Sequence, residues 1–252
     1  MGRERPLGME TIIGILVPAT FVSMLILERL FPGRPLPRVR FWALKGVAFF
    51  VMCAVLAGIV PAVVTAVVGS HAPFHVGLPL IPAAVLGYLA GDLVNYGVHR
   101  VMHNVPFLWR WTHQIHHSEE RVDMWGANYF HPFDIMLQTA ATTLPVLAMG
   151  LSPAAAALGG YIGFVFGMFP HLNVRTPRWL GYVLQRPEAH SVHHQRGLHA
   201  YNYGNFMLYD LLFGTFRNPE GFVATQGFWD GASAKVGAML IGRDVDRPSA
   251  TS

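Results

Sequence analysis

The chain has 252 residues, of which 52% are hydrophobic and only 13% charged, and its mean hydropathy is +0.37. That balance gives more apolar surface than a soluble single domain normally buries, so a membrane protein is the leading class and a large soluble core the alternative, which the arrangement of the apolar residues decides. A single cysteine, Cys53, excludes intrachain disulfides and thiolate metal sites, and the net charge of +4 comes with no nucleic-acid-binding motif.

The apolar residues come in runs rather than at helical or strand spacing. The first, TIIGILVPATFVSMLILE (Thr11 to Glu28), is about long enough to cross a ~30 Å hydrocarbon layer at about 1.5 Å per residue. The stretch after Phe31, PGRPLPRVR, does not resemble a small-residue cleavage site, so this run reads as a retained helix rather than a secretory signal. A longer uncharged run spans Gly46 to Gly69, and a third, Gly77 to His99, begins apolar and ends with Asp92, Asn95 and His99. The fourth, Ile135 to Phe169, is too long for one crossing and carries GLSP (Gly150 to Pro153) in its middle, which predicts two short helices in a hairpin. The tail RDVDRPSATS reads as disordered.

The expected fold is all-α and integral to the membrane: about three transmembrane helices plus a helical hairpin, with a helical cap on the cytoplasmic side. Orientation follows from charge. Arg29, Arg34, Arg38, Arg40 and Lys45 lie between the first two runs, whereas SHAPFHV between the second and third has no lysine or arginine, so the former loop is expected in the cytoplasm. The third helix then runs inward and delivers His99 to the cytoplasmic boundary, and the returning hairpin delivers His171 to the same level. The expected organisation is one domain with membrane helices and a basic loop at 1–98, a first cap segment at 99–134, the hairpin at 135–170, a second cap segment at 171–240 and a tail at 241–252.

Both cap segments are rich in histidine. His99 and His103 stand four apart; His113, His116 and His117 fall at i, i+3 and i+4, and so do His190, His193 and His194. On a helix each group is expected to present two or three imidazoles in one direction. Neutral imidazoles are good ligands for iron, zinc or copper, and ligand type alone leaves these three open. Eight histidines, nine with His171, are too many for one ion and about right for two. His131, in FHPFD, reads first as an outer partner of the site, with an additional ligand or a simple loop residue as the alternatives. His71 and His75 are expected on the opposite face, and the partners of His199 are not legible. No HExxH or GxSxG motif is present, which argues against a zinc protease or a serine hydrolase.

The ordered motifs GDLVNYGVHRVMH, LWRWTHQIHHS, HLN at His171, PEAHSVHH and NYGNFMLYDLLFGTF resemble the fatty acid hydroxylase/sterol desaturase superfamily of membrane-bound di-iron oxygenases, across roughly Gly91 to Phe216. The resemblance implies that His99, His103, His113, His116, His117, His171, His190, His193 and His194 ligate two irons, which zinc can replace in purified protein. Departures from the family pattern are Tyr129, Tyr209, Leu211 and Arg175. The implied activity consumes O2 and externally supplied electrons to hydroxylate a C–H bond of a fatty acyl, sterol or isoprenoid lipid. No nucleotide, haem or flavin segment is visible, so electrons are expected from a separate ferredoxin or cytochrome with its reductase. Carboxylates are expected to take the second N–H of each ring. Asp210 is the first choice, with Asp92, Asp123 and Glu188 behind it, and Glu119 and Glu120 read as solvated. Two rivals remain: desaturation or ether-lipid cleavage at the same centre, and membrane metal transport, which the lack of a polar path through the first two runs disfavours.

Overall fold

A computed structural model describes residues 8–69 and 72–246. Three long helices, α1 (Met9–Leu30), α2 (Trp42–Val68) and α3 (Leu80–Asn104), precede two short ones, α4 (Pro106–Leu108) and α5 (Gln114–His117). A π-helical turn, Trp109–His113, joins the short pair. The hairpin follows as α6 (Pro132–Ala148) and α7 (Pro153–Met168), and then α8 (Pro187–His193), α9 (Leu208–Leu212) and α10 (Val236–Leu240). Among the described residues there is no β-strand, only isolated bridges between Leu184 and Phe206 and between Gln195 and Gln226.

The hairpin turn forms where GLSP predicts it. Gly150 adopts a left-handed φ of 61°, the Ser152 hydroxyl accepts from the Ala155 N–H at 3.2 Å, and Pro153 takes the first helical position, where it has no N–H to leave unpaired. The long helices lie side by side. α3 packs between α6 and α7, α2 lies against α6 and α1 against α7, while Phe21 of α1 stacks on Phe50 of α2 at 4.3 Å. A Cβ at Gly159 of α7 would lie 2.8 Å from the Ala84 carbonyl oxygen of α3, so only glycine allows this approach of the two backbones.

Among the described residues three helical stretches are long and apolar enough to cross a membrane: Met9–Leu30, Trp42–Val68, and Pro153–His171, which includes a 3₁₀ turn continuing α7. Their outward faces remain apolar. Val47, Val51, Val55, Ile59, Val63 and Val67 form an exposed stripe at every fourth residue of α2, the pattern of a helix that meets lipid. The expected third crossing is not among the three, because the second half of α3 carries Asp92, Asn95, His99, Arg100 and His103. α3 instead takes the middle of the bundle, where those groups find protein partners. Phe74 and Val76 donate to the carbonyls of Ala148 and Met149 at 3.0 and 3.1 Å, which sets His75 beside the hairpin turn, at the end of α3 away from His99. His71 lies outside the described residues.

The cap covers the other end of the bundle. Trp42 packs at 5.2 Å on Tyr129 and donates its indole N–H to Asp123 at 2.8 Å, and the Tyr129 hydroxyl donates to the Ser233 carbonyl at 2.5 Å. The disorder expected of the tail does not extend through residue 246. Val245, an apolar side chain in a charged stretch, is buried with Trp42, Ile115, Tyr129 and Met239, and its carbonyl accepts from the Trp229 indole at 2.9 Å. Residues 247–252 lie outside the described residues.

Candidate metal centre

Nine histidines converge at the capped end of the bundle, in two groups. His99, His103, His113, His117 and His193 form one, and His116, His171, His190 and His194 the other. The second and third sequence clusters therefore each straddle both groups, whereas His99 and His103 stay together in the first. In each HxxHH-type run the residues at i and i+4 join one group and the residue at i+3 turns to the other. A helix rotates about 100° per residue, so neighbouring histidines diverge enough to face different centres. The seam between the groups is marked by His117 and His194, whose rings stack at 4.3 Å.

In the five-histidine group the outer ring nitrogens settle the tautomers. Nδ1 of His99, His103 and His193 lies 2.7, 2.9 and 2.7 Å from the carbonyls of Tyr203, His199 and Tyr201, and Nδ1 of His113 lies 2.7 Å from the Asp134 carboxylate. The carbonyls can only accept and the carboxylate takes its hydrogen bond from the ring, so these four nitrogens carry the proton and leave Nε2 as the atom that would meet a metal. His117 places Nδ1 3.0 Å from Nδ1 of His199. The inner nitrogens crowd together: Nε2 of His99 is 2.9 Å from that of His113 and 3.3 Å from that of His103, and Nε2 of His117 is 3.1 Å from that of His193. Lone pairs so close repel unless a cation lies among them. Two nitrogens at roughly 2.1 Å from one ion, at right or tetrahedral angles, are roughly 3.0 to 3.4 Å apart, so the spacing fits a shared metal.

The four-histidine group is held differently. Nε2 of His190 and His171 approach to 3.1 Å, and Glu119 Oε1 lies 3.5 Å from Nδ1 of His116. Nδ1 of His171 and His190 and both ring nitrogens of His194 are buried without a hydrogen-bond partner among the described residues. Phe130 stacks on His116 at 4.2 Å. Burial, and after it the neighbouring imidazoles, hold His116, His117, His190, His193 and His194 well below the ordinary histidine value of 6.5. Buried, uncharged and convergent, the rings are prepared for a cation and not for protons.

The loop supplying the three carbonyls is strained. His199, Tyr201 and Asn202 have φ of 45°, 70° and 50°, a region that side-chain-bearing residues seldom occupy. Alternate carbonyls at 199, 201 and 203 thereby meet three rings. Asp210 holds the loop by accepting from the Tyr203 and Gly204 N–H groups, both at 2.9 Å, and Asp92 accepts from Asn205 and Phe206 at 3.3 and 3.0 Å. Neither carboxylate takes an imidazole proton directly. They act one contact further out, through the backbone that does.

The remaining expected partners divide. Asp123 serves the Trp42 indole, Glu188 accepts from Thr176 and pairs with the buried Arg186 at 3.2 Å, and Glu120 accepts from the Gly231 N–H. Glu119, expected to be solvated, is fully buried beside His116, and burial, with Asp123 and Glu120 behind it, raises its carboxyl well above the ordinary 4.5. His131 joins neither group. Its Nδ1 accepts from the Phe133 N–H at 3.1 Å and caps α6, whose first turn carries Asp134. Asp134 was missed at the sequence level, although FHPFD puts an acid in the first turn after a proline start; the three carbonyls leave no signal in side-chain identity.

A family model described as fatty acid hydroxylase matches residues 84–215, just over half of the chain, and that span contains all nine histidines. The chain is 33% identical over 147 residues to the ornithine lipid hydroxylase OlsE of Rhizobium tropici, covering 56% of this chain and 44% of that protein. It is 31% identical over 140 residues to the very-long-chain aldehyde decarbonylase GL1-9 of Oryza sativa subsp. indica, covering 52% and 53%. Over 171 residues it is 27% identical to the Delta(7)-sterol 5(6)-desaturase erg3C of Aspergillus fumigatus, covering 57% and 51%. The matched region spans about half the length of these relatives, and no solved structure matches the chain. The ordered histidine motifs, their closure into two metal-competent groups and the span of the match agree: the chain belongs to the fatty acid hydroxylase/sterol desaturase superfamily.

Proposed function

We propose that the protein is a membrane-bound, O2-dependent lipid hydroxylase that holds two irons, one in each histidine group. The observation that carries this reading is the set of neutral, buried imidazoles whose lone pairs meet at the end of an apolar helical bundle. The likeness to a protein named as a lipid hydroxylase favours hydroxylation over desaturation or aldehyde chemistry. Bound iron would supply O2 activation, with electrons delivered by a separate ferredoxin or cytochrome.

The chain's own residues do the rest. His99, His103, His113, His117 and His193 hold one ion, and His116, His171, His190 and His194 the other. The carbonyls of residues 199, 201 and 203 and the Asp134 carboxylate keep the outer protons on Nδ1 of His99, His103, His113 and His193, so the inner lone pairs of these four rings stay available. Asp92 and Asp210 hold that loop in place. Trp109 lies 5.2 Å from the His117 ring and with Phe130 limits water at the rings. An apolar hollow of about 390 Å³, lined by Val94, Gly97, Val98, Val101, Leu108 and Leu137, runs along α3 beside the turn bearing His99 and His103, and is suited to a lipid chain entering from the bilayer. The basic residues from Arg29 to Lys45 gather at this end of the bundle, which supports a cytoplasmic site.

The test is metal content per chain on anaerobically purified, iron-supplied protein, beside a His116→Ala, His193→Ala variant that takes one ligand from each group. Two metals per chain, lost in the variant, together with ¹⁸O from labelled O2 in a lipid product, is the expected result. One metal or none, unchanged by the substitutions, would sink the reading.

A further inference from the structure

A second recess lies at the histidine end of α1, on a different face from the hollow along α3. It has a volume of about 640 Å³, within the range of ligand sites, and its walls divide by chemistry. Val22, Leu25 and Ile26 of α1 form the apolar wall, and Val22 and Ile26 are exposed on a helix apolar enough to cross the membrane. Arg29, Arg34 and Arg121 form the polar rim. Arg29 follows Ile26 by three residues and Val22 by seven, so the apolar stripe and the cation share one helix face.

The charges in this recess do not cancel. Arg121 pairs with Asp123. Arg34 has no carboxylate partner: it donates to the Val223 carbonyl and the Gln226 side chain, lies 4.4 Å over the Phe222 ring, and leaves Nε buried without a partner. Arg29 is exposed and has no ion pair among the described residues. The one acid in the lining, Glu28, accepts from the backbone N–H of Met124 and of Asn173 at 3.0 and 2.9 Å. Arg29 and Arg34 therefore line the recess without a carboxylate partner among the described residues, at the level where a lipid-facing helix leaves the hydrocarbon.

We propose that this recess binds an anionic phospholipid, with its phosphate between Arg29 and Arg34 and its acyl chain along Val22, Leu25 and Ile26. Planar guanidinium donors match phosphate oxygens, and a lipid supplies both the anion and the chain that the two walls require. Its seat adjoins the segment that carries His171, because Glu28 ties α1 to the Asn173 N–H. The bound lipid would brace α1 against that segment.

The experiment is native mass spectrometry of the full-length, metal-loaded protein released from nanodiscs of phosphatidylcholine and phosphatidylglycerol in equal parts. The expected result is selective retention of phosphatidylglycerol, reduced roughly five- to tenfold by Arg29→Gln and by Val22→Trp, and unchanged by Arg38→Gln, which lies outside the recess. Equal retention of both lipids, or the same loss in Arg38→Gln as in Arg29→Gln, overturns the proposal. So does displacement by inorganic phosphate with no effect of Val22→Trp, which would assign the arginines to free phosphate. Arg29 and Val22 are exposed, so these variants keep the fold that an Arg34 substitution would disturb, and the readout is independent of oxygenase activity.

Discussion

At the scale of single residues, the two histidine groups differ in what holds their outer nitrogens. In the five-histidine group four rings donate to three carbonyls and the Asp134 carboxylate, and His117 meets His199. In the four-histidine group no ring has a hydrogen-bonded acceptor at Nδ1 among the described residues, and only His116 has a carboxylate near it, Glu119 at 3.5 Å. Outer acceptors fix ring orientation and raise ligand basicity, and losing one costs about 10- to 100-fold in metal affinity. Chelation is therefore expected to proceed in two phases, with the ion of the four-histidine group leaving first. The check is a time course of metal loss with single variants: His116→Ala should remove the fast phase and His193→Ala the slow one. A single phase in the unsubstituted protein would show the groups to be equivalent.

Between elements, close approach of α3 and α7 sets the height at which His171 meets His190. Gly159→Val would press a side chain against the Ala84 carbonyl, whereas Gly160 faces open space. Overpacking of this kind costs about 1–3 kcal/mol. Gly159→Val is expected to lower the thermal midpoint and to deplete metal from the four-histidine group, and Gly160→Val to do neither, as read by unfolding in detergent with metal analysis. The strained loop at 199–204 belongs to this scale too. Its left-handed residues persist because Asp210 and the Asn202 side chain, which donates to the Ala189 carbonyl at 2.9 Å, tie it on two sides.

For the whole molecule, stability should depend on pH with a definite sign. Burial holds the cap histidines neutral and well below 6.5 when folded, whereas the unfolded chain takes up protons near the ordinary value. As pH falls below about 6.5 the unfolded state binds more protons than the folded one, so stability is lost over that window and is fully present above it. Bound metal deepens the dependence, because protons compete for the same lone pairs. Thermal midpoints from about pH 7.5 to about pH 5 should fall for metal-free protein and fall more steeply for the loaded form. A flat profile would mean that the rings are not held neutral by the fold.

Composition and apolar runs were sufficient to read a helical membrane protein, because a lipid-facing helix must be apolar along its length. GLSP was sufficient to read the hairpin, because glycine, serine and proline each have a local conformational role there. Histidine spacing was sufficient to mark the nine histidines as candidate metal ligands and to suggest two ions. Only the tertiary structure assigned each ring to a group, since that depends on the rotation of neighbouring side chains and on the approach of α3, α5, α7 and α8 to one another. Asp134, the buried Glu119 and the carbonyls at 199, 201 and 203 were likewise decided in three dimensions. A backbone acceptor has no identity in the sequence, and a carboxylate reads as solvated until the chain folds over it.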